Sequence, residues 1–162
     1  MVYEMRTALN FEVRRAKESE WEDAMALAWR TFMRFEACDY TQEGIENFSN
    51  FISDNGLHRM FMIGEYHLWV AVADDKIIGM ISLRSKCHVS LLFVDAAYHK
   101  QGVATALMET LWEYMREKDE YVCTVNASPY AVGFYHRIGF KDRAEEQEDD
   151  GIRYTPMKKL IW

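Results

Sequence analysis

Residues 91–107 read LLFVDAAYHKQGVATAL. Four apolar residues give way to a short polar loop, and the loop runs straight into a helical pattern. The stretch therefore reads as buried strand, loop and helix. From Gln101 to Glu117, Val103, Leu107, Leu111 and Tyr114 recur on one helical face. The first-turn N–H groups of such a helix have no intrahelical partners, and the helix dipole adds about half a positive charge there. Gly102 and Ala104 are small enough for a ligand to reach the backbone, so Gln101–Thr105 reads as a seat for a pyrophosphate. The plain alternative is a glycine that eases a strand-to-helix turn. Neither GxxxxGK[ST] nor GxGxxG occurs, which sets aside the two best-known nucleotide loops.

Upstream, Leu68–Ala73 (LWVAVA), Ile77–Arg84 (IIGMISLR) and Cys87–Val94 (CHVSLLFV) are three strands separated by Asp74-Asp75-Lys76 and Ser85-Lys86. Tight turns between adjacent strands predict an antiparallel meander. Before it, Phe11–Arg15 alternates as a short strand, and Ser19-x-x-Glu22 has the form of a capping box. Trp21, Met25, Ala28, Phe32 and Phe35 make the apolar stripe of a first helix ending near Ala37. Thr41 is a candidate cap for a second helix carrying Ile45, Phe48 and Ile52, with Asn55-Gly56 as its stop. Leu57–Glu65 reads equally as a short helix or a loop.

Downstream, Tyr121–Val125 is a strand reached by a helical crossover, which makes it a parallel neighbour of Cys87–Val94. Ser128-Pro129 is expected to open another helix and Gly139 to end it. Phe140–Arg143 and Arg153–Ile161 complete the strands, with the acidic run Glu145–Asp150 between them as a solvated hairpin loop. The order predicts an α/β fold: a mixed, mostly antiparallel central sheet of about seven strands with helices on both faces.

The chain has 162 residues, 49% hydrophobic and 28% charged, with no repeats and only two prolines, so residues 1–162 are expected to form one domain. Residues 1–10 read as a loose N-terminal extension. The formal net charge of −7 argues against the broad basic surface of a nucleic-acid binder. No apolar run reaches the ~18 residues of a membrane span, and Met1–Asn10 has no apolar core of a secretory signal. Cys38, Cys87 and Cys123 are odd in number and contain no CxxC; they read as reduced thiols of a cytoplasmic protein. The histidines and cysteines show no metal-ligand spacing, so no metal is expected.

A second stretch, residues 126–140, reads NASPYAVGFYHRIGF. It resembles the N…A…FYxKxGF signature of the GNAT superfamily of acyl-CoA-dependent N-acetyltransferases. Residues 99–108, HKQGVATALM, resemble that family's (Q/R)xxGx(G/A) pyrophosphate loop. Order, separation and the surrounding elements agree over nearly the whole chain. The resemblance implies a GNAT-like fold that binds acetyl-CoA, releases CoA and passes the acetyl group to a primary amine by direct attack in a ternary complex. It implies that the strands Cys87–Val94 and Tyr121–Val125 splay, and that the pantetheine arm lies between them beside the backbone of Phe93 and Val94. His99, Lys100, Gln101, Gly102, Val103, Ala104 and Thr105 would hold the pyrophosphate, Asn126 would touch the arm, and Tyr135 would protonate the leaving thiolate. His99 stands where glutamine or arginine is usual, which implies weakened rather than lost binding.

The amine must be neutral to attack, so a base is needed. His88 lies eleven residues before His99, an offset that holds a general-base glutamate in the histone-acetylating branch of the family. Glu36 and Asp39 are alternatives, because the end of the first helix lines the acceptor pocket in relatives. Each also has a plain reading, as a half-buried strand histidine or as solvated carboxylates. The acceptor is expected to be a small-molecule or peptide amine, and the net charge favours a cationic one such as a polyamine. A second function, a non-catalytic acyl-CoA-binding or regulatory module, would need the loop and Asn126 but not Tyr135 or His88. An unpaired sheet edge, or the last strand near Trp162, would offer a homodimer contact.

Overall fold

The structure, a computed structural model, describes residues 9–162. The expected N-terminal extension lies outside the described residues except for Leu9 and Asn10. The chain forms β1 (Glu12–Arg15), α1 (Trp21–Phe35), α2 (Gln42–Ile52), α3 (Asn55–Met62), β2 (His67–Ala73), β3 (Lys76–Arg84) and β4 (His88–Val94). It continues through α4 (Val103–Glu117), β5 (Val122–Ala127), α5 (Val132–Arg137), β6 (Lys141–Asp142), β7 (Gln147–Asp149) and β8 (Ile152–Leu160). Among the described residues the sheet has eight strands, ordered β1-β2-β3-β4-β5-β8-β6, with β7 paired to β8. Of the strands among the described residues, only β4 and β5 run parallel, as the crossover through α4 requires.

The two faces of the sheet carry separate cores. Ile81, Leu83, Val89, Cys123, Val125 and Met157 pack on Leu107 and Leu111 of α4. Leu68, Met80, Leu91 and Phe93 pack on Leu27 and Phe32 of α1. Leu107 and Leu111 are fully buried, and each contributes about 1.5–3 kcal/mol of apolar burial. Ser90 is passed over in the β3–β4 register, where Ser82 pairs Leu91 and Leu83 pairs Val89. That extra residue lets Val89 face α4 while Leu91 and Phe93 face α1.

Local signals fail at four places. Ser19 does not cap α1; a 3-10 turn, Glu18–Glu20, precedes it, and the Glu20 carboxylate accepts the Lys17 N–H at 2.7 Å. Asn55-Gly56 does not merely stop α2 but lies inside α3, because the Asp54 carboxylate accepts the Gly56 N–H at 2.8 Å and starts a new helix. Thr41 does cap α2, its hydroxyl accepting from Gly44 N–H at 3.2 Å. The helix expected at Ser128-Pro129 begins only at Val132. Ser128 instead holds a turn, its carbonyl and hydroxyl accepting from Ala131 N–H.

The fourth failure is the acidic run. Gln147–Asp149 pair with Ile152–Tyr154 as strand β7 rather than lying in an open loop. The tip of that hairpin docks on the start of α2. Gly151 carbonyl accepts the Thr41 N–H at 3.2 Å, and Asn47 Nδ2 donates to Asp150 carbonyl at 2.9 Å. A β-carbon on Gly44 would collide with the Gly151 carbonyl, so glycine is needed for the approach.

Candidate active site

The site is built where β4 and β5 part. They pair only at His88↔Thr124 and Val89↔Val125. Beyond that, β4 runs to Val94 held by β3, while β5 runs to Ala127 held by β8. A gap opens between them. Backbone groups alternate between the two edges of a strand. Asp95 N–H donates to Ile78 carbonyl at 2.8 Å, toward β3. Leu92 and Val94 therefore present their N–H and C=O groups to the gap, and Phe93 presents its own to β3.

After β4 the loop is held from several sides. Asp95 Oδ1 accepts the Ala97 N–H at 3.3 Å, and Arg30 of α1 donates to Asp95 Oδ2 at 2.9 Å. His99 Nε2 lies 2.7 Å from the Val94 carbonyl oxygen, and Gln101 Nε2 donates back to Ala97 carbonyl at 3.2 Å. Lys100 (φ 61°) and Gly102 (φ 82°) adopt left-handed conformations as the chain turns into α4. Ala106 N–H is taken by Gly102 carbonyl at 3.0 Å, which leaves the N–H groups of Val103, Ala104 and Thr105 without intrahelical partners. A β-carbon on Gly102 would meet nothing within 4 Å. These amides and that open space suit an anion such as a pyrophosphate.

Two cavities flank the gap. The larger, about 700 Å³, is lined by Val94, His99, Lys100 and Gly102–Thr105 on one side and by Tyr130, Phe134 and Arg137 on the other. The smaller, about 390 Å³, is lined by Phe32, Tyr40, Phe48, Phe51, Arg84, His88, Ser90 and Asn126. Glu36, Leu92, Phe93, Ala131 and Tyr135 border both. The larger has the loop of free amides and the greater volume, which suit a phosphorylated ligand; the smaller leaves room for an acceptor.

The predicted site residues thus divide. His99, Lys100, Gly102, Val103, Ala104 and Thr105 line the larger cavity with Val94 and Phe93. Gln101 does not, since its side chain turns back onto the loop. Asn126 lines the smaller cavity only, and so does His88. Tyr135 is 4% exposed and sits on the shared wall; burial, with the Glu36 carboxylate adding to it, pushes its phenol well above the usual range and keeps it protonated. Glu36, just beyond α1, shares that wall. Burial drives its carboxyl from 4.5 up to about 7, with Asp39 adding to the rise and the Ser128 hydroxyl opposing it. His88 is held below its ordinary pKa by burial and by Arg84 and Arg143, and its Nδ1 lies 2.8 Å from Thr124 Oγ1.

Sequence reasoning missed Leu92, whose backbone faces the gap, together with Tyr130 and Arg137 on the cofactor side and Tyr40 and Arg84 on the acceptor side. Arg137 lies inside the quoted NASPYAVGFYHRIGF stretch and could have been flagged as a cation beside a phosphate seat. Arg84 had no local signal, because its place depends on pairing across the sheet.

Comparison with known proteins agrees with this geometry. Residues 36–161 match the family model described as an acetyltransferase (GNAT) domain. The peptidyl-lysine N-acetyltransferase YjaB of Salmonella typhimurium is 29% identical over 156 residues, covering 93% of this chain and 97% of the relative. The uncharacterized N-acetyltransferase YafP of Escherichia coli is 26% identical over 132 residues, 82% of each chain. A GCN5-related N-acetyltransferase from Rhodopseudomonas palustris superposes with a TM-score of 0.82 at 20% identity, covering 97% of this chain and 99% of that one. The PaiA N-acetyltransferase from Thermoplasma acidophilum, solved with coenzyme A, superposes with a TM-score of 0.77 at 20% identity, covering 94% and 99%. Among the described residues, no helix is long and apolar enough to cross a membrane. With the family model spanning the parted strands, the free-amide loop and Tyr135, this chain belongs to the GNAT family of acetyltransferases.

Proposed function

We propose that this chain transfers the acetyl group of acetyl-CoA to a primary amine by direct attack, with Glu36 as the general base. The observation that carries the reading is the position of Glu36 and Tyr135 together on the one wall common to the two cavities. A carboxyl held near 7 can take a proton from an ammonium acceptor through water and return it to solvent at neutral pH. The amides of Leu92 and Val94 face the gap, where negative charge develops on the carbonyl oxygen, and cost no reorganisation when it does. Tyr135, kept protonated by burial, donates its phenolic proton to the departing sulfur. Val103, Ala104 and Thr105 amides hold the pyrophosphate, with Lys100 and Arg137 as nearby cations. His88 stands at the other end of the acceptor cavity and binds rather than takes protons.

The test is Glu36→Gln with an amine the wild type acetylates. Turnover should fall by about 10²–10⁴, the rise in rate through neutral pH should vanish, and KM for acetyl-CoA should stay within about twofold. A variant that keeps the wild-type pH profile would move the base to another group.

A further inference from the structure

The acceptor cavity is electrostatically two-ended. Glu36 borders it at the gap, and Arg84 and His88 line it at the opposite end. Residues directly paired on neighbouring strands project from the same face of a sheet. Arg84 pairs His88, His88 pairs Thr124, Thr124 pairs Lys158, and Lys158 pairs Lys141. The 2.8 Å contact between His88 Nδ1 and Thr124 Oγ1 confirms the shared side. The alternate residues Val89, Cys123, Val125 and Met157 face the α4 core, so the row lies on the acceptor side. Arg143, two residues beyond Lys141, is anchored by its N–H to Pro156 carbonyl at 2.7 Å and comes close enough to His88 to act on its charge. Among the described residues, Arg84, Arg143, Lys141 and Lys158 make no ion pair, although the chain carries seven more formal negative than positive charges.

We propose that the acceptor is a small amine carrying an anionic group, carboxylate or phosphate, and that this group seats on Arg84, with His88 and Arg143 beside it, while the amine lies at Glu36. The proposal rests on the acetyl-transfer reading above. Arg84, Lys141, Arg143 and Lys158 are solvent-exposed, and among the described residues none has a carboxylate partner, so this face of an acidic protein is a local positive patch open to an arriving anion. A guanidinium is suited to carboxylate or phosphate through paired N–H donors. Phe48, Phe51 and Leu91 line the span between the two ends, which suits an apolar body. His88 precedes Leu92 by four residues, on the order of 13 Å of strand. Allowing for the reach of the arginine, the amine and the anion should stand on the order of 10 Å apart. The negative net charge favours a polyamine only as a whole-surface effect; the cavity's far end reverses that preference locally.

The experiment is calorimetric titration of the CoA-loaded protein with ω-aminooctanoate, octylamine and spermine, in wild type, Arg84→Gln and Arg84→Lys. The amino acid should bind at least tenfold more tightly than octylamine. Arg84→Gln should abolish that advantage without changing octylamine or CoA affinity, and Arg84→Lys should retain part of it. Unchanged thermal stabilisation by CoA shows that the variants are folded. Equal binding of the acid and octylamine, tighter spermine binding, an advantage surviving in Arg84→Gln, or no binding of the acid would each overturn the proposal. Replacing CoA by acetyl-CoA separates the two readings. An acid that binds as expected but is never acetylated leaves the anion seat and removes the transfer reading; other amines acetylated without binding of the acid do the reverse.

Discussion

The His99 imidazole holds the Val94 carbonyl, with Nε2 2.7 Å from the oxygen, at the mouth of the gap between β4 and β5. That carbonyl is the last β4 acceptor facing the gap, and it is where an amide of an extended cofactor arm would dock as an added strand does. Ring and arm compete for one oxygen. Phe35 packs on His99 in a tilted pair with ring centroids 4.8 Å apart and stacks on Tyr130 at 5.1 Å, which keeps the imidazole in place. His99→Ala should therefore tighten acetyl-CoA binding. One hydrogen bond of about 0.5–1.5 kcal/mol corresponds to roughly a 2–10-fold lower Kd. Calorimetric Kd values for the two proteins decide it; a weaker Kd in the variant would mean that the ring supports the loop more than it obstructs the arm.

Glu36 makes stability depend on pH. Its carboxyl holds its proton up to about 7 in the folded chain and only to about 4.5 when unfolded. Between those values the folded state binds more protons, so stability falls as pH rises through the window. Glu36→Gln removes the titration. The variant should match wild type near pH 4 and melt higher at pH 8, by up to roughly 3 kcal/mol and less where water reaches the half-buried group. Melting curves at the two pH values test this, and an equal Tm difference at both would refute it. The same variant should be nearly inactive, so stability and activity move in opposite directions, as expected of a strained catalytic group.

The fold was legible where the signal was local and periodic. Leu91–Leu107 showed strand, loop and helix because apolar period changes within seventeen residues. Gln147–Asp149 showed nothing, because a fully exposed strand has no apolar period, and only pairing with Ile152–Tyr154 makes it one. Ser19 and Ser128 have capping chemistry, yet tertiary context chose Glu20 and a turn instead. In the site, Tyr135 and the loop drew notice through the resemblance of residues 126–140 and 99–108 to family motifs, and both line the larger cavity. Glu36 was visible only as an alternative, since its raised carboxyl comes from burial, with Asp39 adding to it against the Ser128 hydroxyl, and burial is not written in the local sequence. Arg84 was invisible for the same reason: four strands set its neighbours.

Tyr135 separates chemistry from binding. Its ring packs edge-on against Phe140 at 5.2 Å and Phe134 at 5.3 Å, so Tyr135→Phe preserves the packing and removes only the hydroxyl. Turnover should fall by about 10–10³ with KM for acetyl-CoA little changed, the pattern of an interaction made only as the sulfur departs. The loss should shrink with a thioester analogue whose leaving thiol is more acidic, because a better leaving group needs less protonation. Unchanged turnover would leave the thiolate to solvent and the tyrosine to packing.

Gly44 links the β7–β8 hairpin to the acceptor cavity. α2 supplies Asn47, Phe48 and Phe51 to the cavity wall, and β8 supplies Ile152. The two meet where Gly44 lies against Gly151, with no room for a side chain between them. Gly44→Ala must push the hairpin off the helix or rotate the helix, because the obstructing atoms are backbone and cannot swing aside. Overpacking of this kind costs about 1–3 kcal/mol, which for a chain of this size lowers Tm by roughly 2–4 °C per kcal/mol. The distortion opens the acceptor wall but leaves the loop before α4 untouched. KM for the amine should rise severalfold while Kd for CoA stays unchanged, and a shift in CoA affinity of similar size would show that the two cavities are not separable in this way.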